Sequence, residues 1–366
     1  MENKITKLAN ILVNHSLKVE ENEKVLITTE TTHPLPLLKE LIEKIYKNKG
    51  IPDIKIIDKC LDSQIYNHLN IPTIKNIVNK KEFEINNYDS FINIRYNIND
   101  YQEINHNQKM YNQLGLASLE VDKIRINQRK WVLLNYPSPL DAHKAKMPTD
   151  QFKNYAEEVM TVDYQKMYND LIPLKQLMEK TDKVKIIGKD TNLTFSIKNM
   201  PAVICAGEYN IPDGEIFTAP IKNSVNGYIT YNTDSPYQGR IYQNIKLTFK
   251  DGKIINATCN NDTESLNQIL NTDEGARYIG EFSLGVNPKI TTPIGNILYD
   301  EKIFGSIHFT PGRCYESANN NNISSIHWDL VMIGTKDYGG SEIYFDDELI
   351  RKDGLFVKEE LKNLNK

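Results

Sequence analysis

The sequence predicts an α/β protein in two parts: an N-terminal α/β domain with a mostly parallel sheet, and a C-terminal mixed, largely antiparallel α+β domain. Three observations carry this. Apolar strand-like runs alternate with helical segments up to about residue 180, and such alternation builds a parallel sheet covered by helices. From Thr181-Asp182 onward the texture changes to short strands punctuated by turn residues. At 366 residues the chain is also long for a single core.

Taken in order, Ile5, Leu8, Ile11 and Leu12 recur at helical spacing and predict an opening helix. Residues 24–28 (Lys-Val-Leu-Ile-Thr) form a short buried strand, and a Thr-rich turn leads on to His33. Pro34 and Pro36 stand near the start of a helix that runs to about Asn48, where a proline's missing N–H is tolerated, and Gly50 ends it. Residues 53–58, 90–96 and 131–135 are the next strands. The turn after Thr28 contains neither G-x-G-x-x-G nor G-x-x-x-x-G-K-[ST]. It is therefore no nucleotide fingerprint, and this half reads as scaffold and substrate wall. Thr149-Asp150 is expected to cap a long helical region reaching about Lys180, which Pro173 breaks or kinks.

The boundary falls near residue 182, giving domains 1–182 and 183–366. In the second domain the expected strands are 184–187, 193–197, 227–231, 245–249 and 254–259, and Asp251-Gly252 marks a hairpin between the last two. A helix is expected at about 264–275, and the Asn run 319–322 reads as a loop.

Composition excludes several function classes. There are 48 acids against 44 bases, a net charge of −4, which gives no reason to expect nucleic acid or an anionic membrane as partner. No run approaches the ~20 apolar residues that span a bilayer. Residues 1–7 lack the apolar stretch of a signal peptide, so a cytoplasmic protein is expected. The four cysteines (Cys60, Cys205, Cys259, Cys314) form no Cys-x-x-Cys pair. They read as reduced thiols rather than a disulfide framework or a zinc–thiolate site.

Chemistry gathers in four stretches of the second half: Asn210–Pro220, Gly275–Phe282, Gly305–Phe309 with Tyr315 beyond, and Ile326–Asp329. Each has a bland alternative. The Pro212-Asp213-Gly214 turn presents Glu215 at the mouth of a strand, or leaves it a solvated turn acid. Glu281, flanked by apolar residues and preceded by Gly275, Ala276 and Gly280, enters an interior; it is either a ligand or the partner of Arg277. Strand alternation sends Ile307 and Phe309 one way and His308 the other, as a ligand or as a hydrogen-bonded core residue. Along a strand His327 and Asp329 share a face while Trp328 packs behind, which suits either metal ligation or a plain His–Asp hydrogen bond. Tyr315 is a ligand, a donor to an oxyanion, or ordinary packing. Cys314 is a bystander, and His33 is either a surface residue or part of a substrate wall.

The set says more than its members. Five of the seven histidines lie in the first half, without acidic partners at ligand spacing; the other two lie here, 19 residues apart. Glu215, Glu281, His308, His327 and Asp329 offer two nitrogen and three carboxylate donors. Three carboxylates against two divalent cations leave a net charge of 4 − 3 = +1. Such a centre, with ions ~3.5–4 Å apart, would activate water and clamp a hydrolytic transition state. Mixed N/O ligation points to zinc, manganese or cobalt.

These motifs (N-x-P-D-G-E-I-F-T-A-P, G-A-R-x-x-G-E, G-S-I-H followed by Tyr315, and I-H-W-D) together with Trp131 and Tyr136-Pro137-Ser138-Pro139 resemble the thermophilic-type metallo-aminopeptidases, the aminopeptidase T and aminopeptidase S family. The resemblance runs over essentially the whole chain. It implies metal ligands at Glu215, Glu281, His308, His327 and Asp329, with Tyr315 as the site tyrosine. It further implies a two-domain cytoplasmic homodimer with two divalent ions that releases N-terminal residues from peptides bearing a free N-terminus. Phe304-Gly305 and Phe309-Thr310-Pro311-Gly312 depart from the family pattern, and the Asn319–Asn322 loop is short; the ligands are untouched, but pocket shape and substrate preference are open. Glu281 or Glu215 would double as general base. The alternatives are a metal-dependent dipeptidase or other amide hydrolase, and a metal-stabilised binding protein without turnover.

Overall fold

The computed structural model describes residues 3–100, 107–237 and 239–365. Two compact units emerge: Met1–Thr161 with Gly207–Pro212, and Val162–Ala206 with Asp213–Lys366.

The first unit is built on a five-stranded sheet in the order Ile51–Ile56, Lys24–Thr29, Ser90–Arg95, Lys130–Asn135, Asn210–Ile211. Every pairing in it is parallel, as the strand–helix alternation requires. Val25, Leu26 and Ile27 of the inner strand are buried; the edge strand Ile51–Ile56 starts two residues before its predicted position and is largely exposed. The helix Leu35–Lys47 buries Leu37, Leu38, Leu41 and Ile45, one apolar stripe at helical spacing. The opening helix Lys4–Asn10 passes into a π-helical stretch, Ile11–Ser16.

The long helical region predicted to run from residue 149 to 180 is two helices, Thr149–Met160 and Tyr164–Met178. Thr149 lies inside the first turn and caps nothing. The break sits before Asp163, whose side chain accepts from the Lys166 N–H and starts the second helix, while Pro173 is carried within it. The contacts divide the chain at Thr161, whereas the sequence texture changes at Thr181-Asp182. The difference is the helix Tyr164–Met178, which packs on the C-terminal turn Glu359–Asn365 and the strand Val203–Cys205.

The second unit holds two large antiparallel sheets and a two-stranded one, Ser235–Tyr237 with Arg240–Tyr242. Eight strands run in the order Lys253–Thr258, Lys246–Lys250, Asn226–Thr230, Thr191–Ser196, Lys183–Gly188, Ser341–Phe345, Glu348–Lys352, Leu355–Phe356. Five run in the order Val331–Ile333, Ser306–Pro311, Ile279–Gly285, Glu215–Thr218, Val203–Cys205. Phe195 and Phe249 of the larger sheet meet Phe282 and Phe309 of the smaller, with Phe195 centred 5.0 Å from both Phe282 and Phe309. This aromatic layer leaves the opposite face of the smaller sheet free for polar groups.

The predicted hairpin forms at Asp251-Gly252, where both residues have positive φ (50° and 84°). A Cβ on Gly252 would come within 1.9 Å of the Lys222 carbonyl oxygen, so no other residue fits. The helix expected at 264–275 is Thr263–Leu270 followed by a separate 3₁₀ turn, Glu274–Arg277. Arg277 does not meet Glu281. It bonds the Ile254 carbonyl and the side-chain oxygens of Asn267 and Asn271, while the Asn267 amide donates to the Ala257 carbonyl.

Candidate metal centre

Strand period decides which residues meet here. Ile279–Gly285 is buried at all seven positions. Phe282 faces the aromatic layer; Glu281 and Ser283 face the other way. A bulge between Ile279 and Glu281 shifts the register against Ser306–Pro311. Its Gly280 is hemmed in by the backbone oxygens of Arg313 and Gly312, so a Cβ would lie 2.3 Å from the first. His308 stands opposite Ser283, and Phe217 flanks Ser283 on the other side, two residues on from Glu215.

The carboxylates and imidazoles interlock. Glu281 Oε1 lies 3.0 Å from His308 Nε2, and its other oxygen lies 3.3 Å from His327 Nε2. His308 Nε2 is also 3.5 Å from Glu215 Oε2, and His327 Nε2 is 3.3 Å from Asp329 Oδ1. Two triads result, Glu215–Glu281–His308 and Glu281–His327–Asp329, each with its donor atoms within 4.8 Å of one another. Glu281 belongs to both.

The surroundings orient these groups. His327 Nδ1 donates to the Arg313 carbonyl at 2.7 Å, which leaves Nε2 as the nitrogen that faces the carboxylates. Thr310 Oγ1 donates to Asp329 Oδ1 at 2.7 Å, and Ser283 Oγ donates to Glu215 Oε2 at 3.0 Å. His327-Trp328-Asp329 is not a regular strand as expected. His327 makes a single bridge to Gly312, and the segment leads extended into Val331–Ile333. Same-side placement of His327 and Asp329 survives because the backbone stays extended, while Trp328 packs against Tyr237 and Tyr242.

The titration behaviour shows what the cluster demands. Burial pulls the His308 imidazole down, but Glu215 and then Glu281 outweigh it and raise it to about 10. His327 is held well above its usual range by Asp329 and Glu281, again against burial. Burial pushes the Asp329 and Glu281 carboxyls up, yet the imidazoles hold both below the ordinary carboxylate range. Positive charge between these acids is favoured, whether it arrives as protons or as cations. The donor set of carboxylate oxygens and Nε2 atoms fits divalent ions of the zinc, manganese or cobalt type.

The bland alternatives for Glu215 and Glu281 fall away. Glu215 and Asp213 are 5% and 1% exposed, so neither is a solvated turn acid, and Arg277 is engaged elsewhere. Tyr315 lies 43% exposed with its ring edge-on to His327 at 4.8 Å and tilted on Phe217 at 5.5 Å. Cys314 stays beside the Asn319–Asn322 loop, its Sγ 3.4 Å from Asn319 Oδ1. His33 is exposed in the first unit, bonded to Thr31 and stacked on Tyr96.

Sequence reasoning missed three participants. Lys302 is 1% exposed; its Nζ bonds Glu215 Oε1 and, at 2.6 Å, Glu301 Oε1, with Asp213 Oδ1 at 3.7 Å. Burial pushes the Glu301 carboxyl up to about 8, with Lys302 opposing. Asp300-Glu301-Lys302 reads in sequence as a surface charge run, and only the nearness of His308 hinted otherwise.

An all-parallel α/β unit followed by an antiparallel unit with an interlocked carboxylate–imidazole cluster defines the class of protein to which this chain is similar. The chain belongs to the thermophilic metalloprotease (M29) family, whose model matches residues 1–356. Among curated relatives, Aminopeptidase 2 of Geobacillus stearothermophilus is 31% identical over 131 residues, 35% of this chain. That match spans about a third of the relative's own length, 32%. Wild-type AmpT from Thermus thermophilus superposes with a TM-score of 0.78 at 18% identity, covering 97% of this chain and 99% of that one. The 2,5-dihydroxypyridine dioxygenase of Pseudomonas putida KT2440 superposes with a TM-score of 0.63 at 13% identity, covering 99% and 100%. Both likenesses bear out the α/β fold, and a dioxygenase among them shows that the fold alone does not name a reaction.

Proposed function

We propose that this protein is a metal-dependent aminopeptidase that releases N-terminal residues from peptides with a free α-amine. The observation that carries the reading is Glu281, which directs one oxygen to each of two triads, on a chain of a metalloprotease family. Glu215, Glu281 and His308 would hold one divalent cation, and Glu281, His327 and Asp329 the other; zinc, cobalt and manganese suit these donors. Bound there, the cations would supply the charge that polarises a peptide carbonyl and acidifies water.

The chain's own groups do the rest. The Arg313 carbonyl and Thr310 fix His327 and Asp329, so the ligands are set before substrate arrives. Tyr315, open to solvent against His327, is placed to donate to a developing oxyanion. Both oxygens of Glu215 and of Glu281 are engaged, which argues against either as general base. Glu301, held through Oε1 by Lys302 and outside both triads, is better placed to accept and return a proton.

Among the described residues no helix is long and apolar enough to cross a membrane. The reading includes a cytoplasmic location and a homodimer; light scattering on the purified protein checks the dimer. The main test is cleavage of aminoacyl chromogenic substrates after chelation and after return of Zn²⁺, Mn²⁺ or Co²⁺. Activity lost to chelator, restored by metal and absent on N-acetylated substrates supports the reading. Equal cleavage of acetylated substrates, or no turnover on any peptide with two ions bound, defeats it.

A further inference from the structure

Lys302 follows the short helix Ile297–Asp300, and its backbone is held on both sides: its N–H donates to the Tyr299 carbonyl, and its own carbonyl accepts from Asn287 N–H at 3.1 Å. Asn287 is itself fully buried and sends its side-chain amide to the Asp213 carbonyl at 2.7 Å. One residue therefore ties the lysine to the turn that carries Glu215. Gly214, in that turn, passes so close that a Cβ would lie 2.9 Å from the Asn287 side chain.

The consequence falls on Glu215. Lys302 Nζ takes Glu215 Oε1, and Ser283 and His308 meet Oε2. Its two oxygens are thus divided between an ammonium and the ligand cluster, whereas Glu281 gives both oxygens to the cluster. A buried ammonium is costly unless paired, and here Glu215, Glu301 and Asp213 surround it. The acids gathered here (Glu215, Glu281, Asp329, Glu301, Asp213) outnumber the one ammonium, Lys302, so the set favours further positive charge.

We propose that Lys302 is a positioning residue for the cation held by Glu215, Glu281 and His308: by occupying Glu215 Oε1 it presents Oε2 alone, making Glu215 a one-oxygen ligand. This rests on the two-cation reading above. Without the ammonium, Glu215 is free to rotate and three carboxylates lose their fixed counter-charge. The Glu281–His327–Asp329 site, which Lys302 does not touch, keeps its donors.

The experiment is titration of Co²⁺ into chelator-stripped protein, followed by calorimetry and by the visible bands of the bound ion. It compares wild type, Lys302→Met, Glu301→Gln, and the charge-balanced pair Lys302→Met with Glu301→Gln. The expected result is two ions on wild type and on Glu301→Gln. Both lysine variants should show one site weakened ~10–100-fold, the cost of removing a residue that orients a ligand, and one site unchanged. Two sites of wild-type affinity in the lysine variants would overturn the proposal, as would equal weakening of both, because a merely structural lysine does not distinguish them. If Lys302→Met fails to fold, the charge-balanced variant decides. Fewer than two ions on wild type would defeat the two-cation reading itself rather than the part given to Lys302.

Discussion

The two units handle buried and half-buried acids in opposite ways. In the parallel unit several acids meet a partly exposed lysine: Glu30 with Lys59, Glu84 with Lys55, Glu23 with Lys130. In the antiparallel unit five acids crowd into the interior around one buried lysine and two imidazoles. One-to-one pairing at a rim adds a little stability and asks for nothing more. An interior surplus of negative charge is stable only with further cations, so the imbalance itself marks the functional region.

The largest break in that contrast is Glu281→Ala. It removes the residue common to both triads and is expected to abolish the binding of both ions and all turnover, far beyond the ~10–100-fold cost of losing a supporting residue. His327→Ala and Asp329→Ala should each remove one ion together with activity. Retention of two ions by Glu281→Ala, measured by metal analysis after gel filtration, would dismantle the shared-carboxylate reading. Next comes Glu301→Gln, expected to lower kcat by ~10²–10⁴-fold with both ions retained. Unchanged kcat would return the base role to Glu215 or Glu281.

A third prediction contrasts packing with charge. Phe282→Ala empties the aromatic layer behind Glu281 and should cost about 3–5 kcal/mol in urea unfolding. A cost below about 1 kcal/mol would mean that the layer is not what supports the site.

The fourth is a pH dependence. His308 rises from 6.5 to about 10 on folding, so its contribution is fully present below pH 6.5 and is lost as pH climbs toward 10. Glu301, whose folded value near 8 also exceeds its unfolded one, acts in the same direction over its own lower range. Chelator-stripped protein should therefore show a falling Tm from pH 6.5 to 10, and metal-loaded protein a flatter profile because cations replace the protons. A stripped protein whose Tm rises over that range would contradict the charge account. The smallest effect belongs to the rim: Lys59→Met should change stability by about 0–1 kcal/mol and leave metal content alone.

Much of this was legible in the sequence because it depends on local periodicity. Alternation placed His308 opposite Ile307 and Phe309, and Asp251-Gly252 announced its hairpin. Glu215, Glu281 and His308 lie on strands whose faces the pattern assigned, whereas His327 and Asp329 share a side on a segment outside any regular strand. Lys302 was illegible, and the partner of Arg277 was left open, for one reason: a long charged side chain carries no periodic signal, and its partners are chosen by tertiary packing. The return of Asn210–Ile211 to the parallel sheet escaped notice likewise, since two residues are too few to show a period.

Arg277 and Asn267 have a last consequence. The Lys253–Thr258 strand ends the eight-stranded sheet, with Lys246–Lys250 as its only strand neighbour among the described residues. An incoming chain that tried to extend the sheet would need the Ile254 and Ala257 carbonyls as acceptors, and both already receive hydrogen bonds from those two side chains. This edge of the sheet terminates itself, and the region that concentrates so much charge inside is guarded there against strand addition.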